Sequence, residues 1–438
     1  MSMHWAALLT DMRTDSSPAR DMAGIALWAL QFTPRVTCSG QAVMLEMAQS
    51  LRLFGGEAQL HAQVESGARE MGVRFTAWAP TRLAALAFAR AGIADGFAKP
   101  LAQMLDLMPF DCLSAVRVHA ATLERLGCRT LADVRRLPRG GIGRRFGKEL
   151  LLALDQAYGL RPEICRWTTP PLSFAARLEL PGRVDTACGL LFGARRLLLQ
   201  MSGWLAARHA GVTAFTLRWR HDDMRARTAG EGGDITIRTA EPTRNVDHLC
   251  RLLAEHLALV VLLAPASEIE VLATEVSPLA EKTHSLLHDT LRQSEVLDQV
   301  LERIEARLGK KRVLLPKLLP DHRLEYMQHW QALDAPRSTA AVTPSQVPQP
   351  AWILRTPLKL AMLENRPIYQ GPLLLLLGPD RVEGGWWHRT ESSQGSSQSR
   401  DVQRDYWVAL SVHAGALWIF QQRLDAENAA WFLHGHFA

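Results

Sequence analysis

Residues Ser39–Gly56 read SGQAVMLEMAQSLRLFGG. Ala42–Met47 has the length and apolar content of a buried strand, and a turn then leads into Leu51, Leu53 and Phe54. The flanking chain alternates helix and strand. Leu60, Val64, Ala68 and Met71 recur at helical spacing before Gly72, a natural stop. VRFTAWA (Val73–Ala79) predicts a strand, and Pro80 and Thr81 open a helix rich in small residues, RLAALAFARAG. Residues 1–108 therefore form an α/β segment with too few strands, on this reading, for a free-standing sheet.

Residues 109–168 predict short helices: AATLERLG, TLADVRRLP and FGKELLLALDQAYG, separated by Gly127, Pro138 and Gly140-Gly141-Ile142-Gly143. Residues 169–290 carry a β-α-β-β-α-β order. The first strand holds Leu172, Phe174, Leu178 and Leu180 at alternate positions, and Ala187–Leu205 marks a long helix. Thr213–Trp219 and Ile235–Ile237 supply two strands, Thr243 is placed to cap a helix carrying Leu249, Leu253 and Leu257, and Ile269–Ala273 closes the series. A charged helix, Ser294–Gly309, lies within a connector spanning 291–334. APRSTAAVTPSQVPQP (335–350) has four prolines and no periodicity, which predicts a linker. Residues 351–438 are tryptophan-rich and strand-like.

Composition bounds the function. The 438 residues suffice for two to four domains, and 47% hydrophobic with 21% charged residues describes a globular protein. The net charge of +6 mildly favours a polyanionic partner. Six cysteines lie far apart without CxxC or zinc spacing, which suits reduced core residues and a cytoplasmic location. The apolar runs LALVVLLAPA and PLLLLLG are too short to span a membrane, and Met1–Leu9 lacks the pattern of a signal peptide.

Charge concentrates in one place. Glu124–Arg166 holds ten Arg or Lys against five Asp or Glu. Within it, LPRGGIGRRFGKEL sets Gly140, Gly141 and Gly143 among Arg139, Arg144, Arg145 and Lys148. Read as a helix-hairpin-helix, its glycines let backbone N–H groups approach a phosphate while the basic side chains neutralise neighbouring ones. The plain alternative is a helix–helix turn bearing solvated arginines. Catalytic constellations are missing by contrast. Two-metal phosphoryl transfer needs carboxylates close together. Asp11 and Asp15 sit in a loop-like stretch, and Glu46 is a single carboxylate. There is no P-loop, HExxH or GxSxG, the histidines are scattered, and neither metal nor cofactor is expected. Trp386, Trp387, Trp407, Trp418 and Trp431 fill a small core or present a binding surface.

Several phrases, in order, carry a resemblance: WALQFTPRV, SLRLFGG, FTAWAPTRLAALAFARAG, TLADVRRLPRGGIGRRFG, LLPKLLPDHRLE, RPIYQGPLLLLLGPDRVEGGWW, RDYWVAL and WFLHGHFA. From about residue 25 to the end, the chain resembles the ImuB family, catalytically inactive Y-family (UmuC/DinB-like) DNA polymerase homologues of bacterial mutagenic cassettes. The resemblance implies an α+β multidomain fold: a Y-family palm, here truncated, a helix-hairpin-helix thumb, a little finger matching the β-α-β-β-α-β segment, and a small β-rich C-terminal region. It also implies an adaptor that links DNA, the sliding clamp, a RecA-like cassette partner and an error-prone C-family polymerase in translesion synthesis.

Active Y-family strands carry an adjacent Asp-Glu where this chain has Gln41 and Ala42. Lysines that grip nucleotide phosphates are replaced by Arg82 and Leu86. Family members begin with a further palm strand and fingers, whereas about two dozen residues precede WALQFTPRV here, so the palm is expected to be short by a strand, either because the chain is shortened or because its start is assigned too late. The best match to a clamp-binding pentapeptide is THSLL, with Thr283, Leu286 and Leu287. Rival readings are an active lesion-bypass polymerase, which would need three acidic ligands, and a simple structure-preferring DNA-binding protein, which would need no partner.

Overall fold

The computed structural model describes residues 3–10, 18–224, 227–279, 290–309, 311–319, 321, 323, 325–333, 349–385, 389–391, 397–399, 402–423 and 429–437. Its first sheet contains a strand that periodicity does not reveal. Trp5–Thr10 (β1) runs inside a four-stranded sheet with β2 (Val36–Ser39), β3 (Ala42–Glu46) and β4 (Val73–Ala79), in the order β2-β3-β1-β4. All neighbours are antiparallel. Helices α1 (Pro18–Ala29) and α2 (Glu57–Glu70) cover one face, where Ala6 and Leu8 meet Trp28, Leu60 and Val64. Helix α3 (Arg82–Ala91) covers the other, where Trp5 and Ala7 meet Met44, Ala77 and Phe88. A strand buried on both faces needs no polar alternate, and WAALL accordingly has none. The expectation of a palm short of a strand is corrected: β1 is present and interior, and residues 11–17, which connect it to α1, lie outside the described residues.

Six short helices follow: α4 (Leu101–Asp106), α5 (Ser114–Arg117), α6 (Ala120–Arg125), α7 (Leu131–Arg136), α8 (Arg139–Arg145) and α9 (Lys148–Ala157). They are fastened to α3 at both ends. Arg90 donates to the Cys112 carbonyl at 2.7 Å, Thr81 Oγ1 donates to the Ala157 carbonyl at 2.8 Å, and Arg82 pairs with Glu163 at 2.5 Å.

The next segment runs β5 (Ala175–Val184), α10 (Leu190–Ala207), β6 (Ala210–His221), β7 (Gly232–Thr243), α11 (Val246–Leu257) and β8 (Ala266–Pro278), with sheet order β5-β8-β6-β7. Leu197, Met201, Phe215, Leu253 and Val271 share its core. Asn245, not Thr243, caps α11: its side chain accepts from His248 N–H at 3.1 Å, while Thr243 ends β7. Helix α10 also packs on α1, so this segment is seated on the first sheet's helical layer. Arg196 reaches Asp21 at 3.1 Å and Arg195 reaches Glu70 at 2.9 Å. A Cβ on Gly203 would lie 2.6 Å from Trp28 Cα and strike the Leu27 carbonyl, so only glycine permits this approach. Helix α12 (Thr290–Leu308) docks through Glu302, which pairs with His248 at 2.7 Å and accepts from Ala240 N–H at 2.5 Å.

The chain divides into two compact units, 1–307 and 308–438. The second contains a hairpin, β9 (Leu314–Leu318) with β10 (Gln328–Ala332), and strands β11 (Trp352–Lys359), β12 (Ala361–Leu363), β13 (Arg366–Ile368), β14 (Leu374–Gly384), β15 (Arg389–Glu391), β16 (Ser397–Ser399), β17 (Val402–Ser411), β18 (Gly415–Arg423) and β19 (Ala429–His436). Five of them form a sheet in the order β11-β19-β18-β17-β14. Its interior holds Leu417, Ile419, Trp431 and Leu433 on one side and Tyr406, Trp418 and Phe420 on the other. The unit thus begins well before residue 335, because Arg404 of β17 pairs at 2.5 Å with Glu325 of the β9–β10 connection. Residues 335–348 of the expected linker, with Trp386 and Trp387, lie outside the described residues.

Candidate nucleic-acid interface

The basic cluster is built on α8 and α9. Thr130 and Asp133 form a capping box that starts α7, and backbone N–H groups of Arg129 and Thr130 hold the Asp133 carboxyl below its ordinary range. Pro138 then opens α8, and Ile142, Phe146 and Leu150 anchor the turn in the core. The expected turn at Gly141-Ile142-Gly143 is instead helical. Gly140, Gly141 and Gly143 lie within α8, and the reversal falls at Gly147, whose φ of +86° leads into α9. A Cβ on Gly140 or Gly141 would meet nothing within 4 Å, so this face of α8 is open.

The four cations are not equivalent. Arg139 donates to both oxygens of the buried Asp155 at 2.9 and 2.7 Å, fixing α8 to α9, and that bond raises its already high pKa. Arg144, Arg145 and Lys148 are exposed, and none has an ion-pair partner among the described residues. Three unpaired positive charges beside an open helix face can neutralise phosphates with no competing carboxylate to displace. Arg135 is occupied: it lies over the Tyr158 ring at 4.6 Å and pairs with Asp106 at 3.3 Å.

A second arginine-bearing surface escapes a reading of charge runs. On the outer face of the β5-β8-β6-β7 sheet, Arg177 reaches Glu270 at 2.8 Å, Arg220 reaches Glu268 at 3.6 Å and Arg238 reaches Glu275 at 2.8 Å. Its signal is RWR at 218–220 opposite EIE at 268–270, visible only once the strands are paired. Arg218 shares Glu270 with Arg177 at 3.7 Å, so each of these arginines is engaged with a glutamate, whereas Arg144, Arg145 and Lys148 are not paired among the described residues.

At the far end of the first sheet, Leu9 lies between Ala42 and Phe75. All three side chains pack against the α3-side core. Gln41 is exposed, and its carbonyl accepts from Thr10 N–H at 3.0 Å and Thr10 Oγ1 at 2.8 Å. Glu46 sits at the other end of β3, opposite Trp5, where Arg35 neutralises it at 2.9 Å. Among the described residues, no three metal-ligating side chains gather near Gln41 and Ala42. Asp11, Asp15 and the clamp-motif residues Thr283, Leu286 and Leu287 lie outside the described residues. Arg82 is engaged with Glu163, and Leu86 is buried in the core. No helix among the described residues is long and apolar enough to cross a membrane.

No protein-family model matches the chain. It is 28% identical over 457 residues to protein ImuB from each of two strains of Caulobacter vibrioides, covering 98% of this chain and 97% of theirs. The resemblance carried by the phrases therefore extends from end to end. Among solved structures, the insertion ternary complex of Dbh DNA polymerase aligns with a TM-score of 0.30 at 14% identity, covering 58% of this chain and 76% of that one. DinB from Sulfolobus solfataricus aligns with a TM-score of 0.29 at 13% identity, covering 60% and 78%.

Proposed function

We propose that this chain, similar to ImuB along its whole length, is a non-catalytic DNA-binding adaptor of error-prone translesion synthesis. In this reading it bridges DNA, the sliding clamp and an error-prone C-family polymerase, together with a RecA-like cassette partner. The observation that carries the non-catalytic half is the apolar trio Leu9, Ala42 and Phe75. Phosphoryl transfer by a polymerase requires carboxylates that hold two metal ions, one activating the primer hydroxyl and one neutralising the triphosphate. Among the described residues, the apolar side chains at that place supply neither function. The unpaired Arg144, Arg145 and Lys148 support the DNA-binding half. Their salt-dependent attraction needs no sequence readout, as suits a protein that meets damaged templates of any sequence.

The test is primer extension by the purified full-length chain with Mg²⁺ or Mn²⁺. The expected result is binding of the primer–template without nucleotide incorporation. Template-dependent incorporation that tracks with the protein through independent purifications would overturn the reading in favour of an active lesion-bypass polymerase.

A further inference from the structure

The histidines look scattered along the chain, yet two of them meet. His4 immediately precedes β1, and His61 lies one turn after Glu57 on α2, so the i,i+4 pair shares a helix face. His4 Nε2 and His61 Nε2 are 2.8 Å apart, and His61 Nε2 is 4.0 Å from Glu57 Oε1. The three ligand atoms lie within 4.8 Å of one another. We propose that His4, His61 and Glu57 form a binding site for a divalent late first-row transition ion, with Zn²⁺ the natural occupant.

Two imidazoles and one carboxylate are a donor set that zinc accepts, and a fourth, solvent-facing position would complete a tetrahedron. Bonds of about 2.0–2.1 Å place tetrahedral ligand atoms about 3.3 Å apart. The imidazole nitrogens must therefore separate by roughly half an ångström, and the Glu57 carboxylate must swing inward. The carboxylate is free to make its move, because Glu57 is 56% exposed in the first turn of its helix. The rings, by contrast, are already aimed. His61 stacks on Trp78 with centroids 3.6 Å apart, and His4 stacks on Phe97 at 4.7 Å. Glu65 in turn accepts from Trp78 Nε1 at 3.3 Å, and the His4 carbonyl accepts from Met47 N–H at 2.8 Å. Such outer contacts fix ring orientation before an ion arrives.

In the ion-free pair one Nε2 donates to the other. Ion binding moves that hydrogen to Nδ1 of the same ring, with no net proton released. An ion here would tie the start of β1 to α2, at the opposite end of β1 from Thr10. The inference does not depend on the adaptor reading.

The experiment uses the tag-free full-length chain, titrated with Co²⁺ as a spectroscopic probe and with Zn²⁺ in competition with a chromophoric chelator. The expected results are one tight equivalent, a visible Co²⁺ absorption of tetrahedral type, and a rise in melting temperature with Zn²⁺. His61→Ala is expected to weaken that equivalent about a hundredfold, and the exposed Glu57→Gln about tenfold. Glu57→Gln decides the matter should His61→Ala fail to fold. Absence of a tight equivalent in the wild type, or the same affinity in wild type and Glu57→Gln and His61→Ala, would overturn the site and leave a His–His hydrogen bond only.

Discussion

Arg139 and Arg144 share one short helix but face different surroundings, and their substitutions should separate accordingly. Among the described residues, Arg144, Arg145 and Lys148 have no carboxylate partner to release before meeting a phosphate. Replacing all three by Ala is expected to weaken binding to every DNA sequence alike and to lower the slope of log affinity against log salt by about 2 to 3. An unchanged slope would identify the trio as a solvated face. Arg139→Ala removes the bidentate partner of buried Asp155 and leaves Arg161, at 3.7 Å, as its remaining neighbour. The expected result is a lower denaturant midpoint for unfolding, with little change in the salt slope. A third residue-scale prediction concerns His434, which is fully buried and whose Nδ1 contacts Tyr406 Oη at 2.8 Å. Burial depresses its pKa to about 4, against the favourable pull of Glu325 and with added repulsion from Arg404. The unfolded chain therefore binds the proton more readily. Stability of the C-terminal unit should be complete above about pH 6.5, fall as the pH drops towards 4, and lose on the order of 3 kcal/mol in all. Tryptophan fluorescence during denaturation at several pH values measures this, and His434→Gln should flatten that part of the profile.

At the scale of elements, the α1–α10 crossing decides how the β-α-β-β-α-β segment is carried. Gly203 faces the backbone of Leu27 and Trp28, and Gly24 faces the Gln200 side chain. A backbone obstacle cannot rotate away as a side chain can. Gly203→Leu is thus expected to force α10 off α1 at a cost of about 1–3 kcal/mol or more. Limited proteolysis should then cut between residues 158 and 174 far faster than in the wild type, whereas Gly140→Ala, whose Cβ enters open space, should leave the digestion pattern unchanged. Equal protection of Gly203→Leu and wild type would show that the crossing does not hold the two parts together.

For the whole molecule, the division at residue 307 sets where the chain can be cut. Glu325 is paired with Arg404, so a truncation at residue 350 would remove the sheet and leave that carboxylate behind. Truncation after 307 respects both units. The 1–307 fragment is expected to fold, to bind DNA with the salt dependence of the full chain, and to lose capture of a polymerase partner together with damage-induced mutagenesis. Pull-down with the error-prone polymerase and a mutagenesis assay in cells check the last two. A fragment that still supports mutagenesis would favour the partner-free DNA-binding reading.

Much of this was legible from local pattern. The bounds of β4, the helical face Leu60-Val64-Ala68, the β-α-β-β-α-β order and the position of the basic cluster all follow from local periodicity, β-propensity and composition. Strand β1 was hidden for the converse reason: covered on both sides, it shows no alternation. The turn was misplaced because three glycines in a row of four look like a loop, while Ile142 and Phe146 seat them in a helix that composition alone does not indicate. Whether a given arginine is free or spent, whether Gln41 and Ala42 sit among carboxylates or among apolar side chains, and whether His4 meets His61 depend on residues tens to hundreds of positions apart. Charge and coordination act through a few ångströms of space, and only the packed chain determines which residues share them.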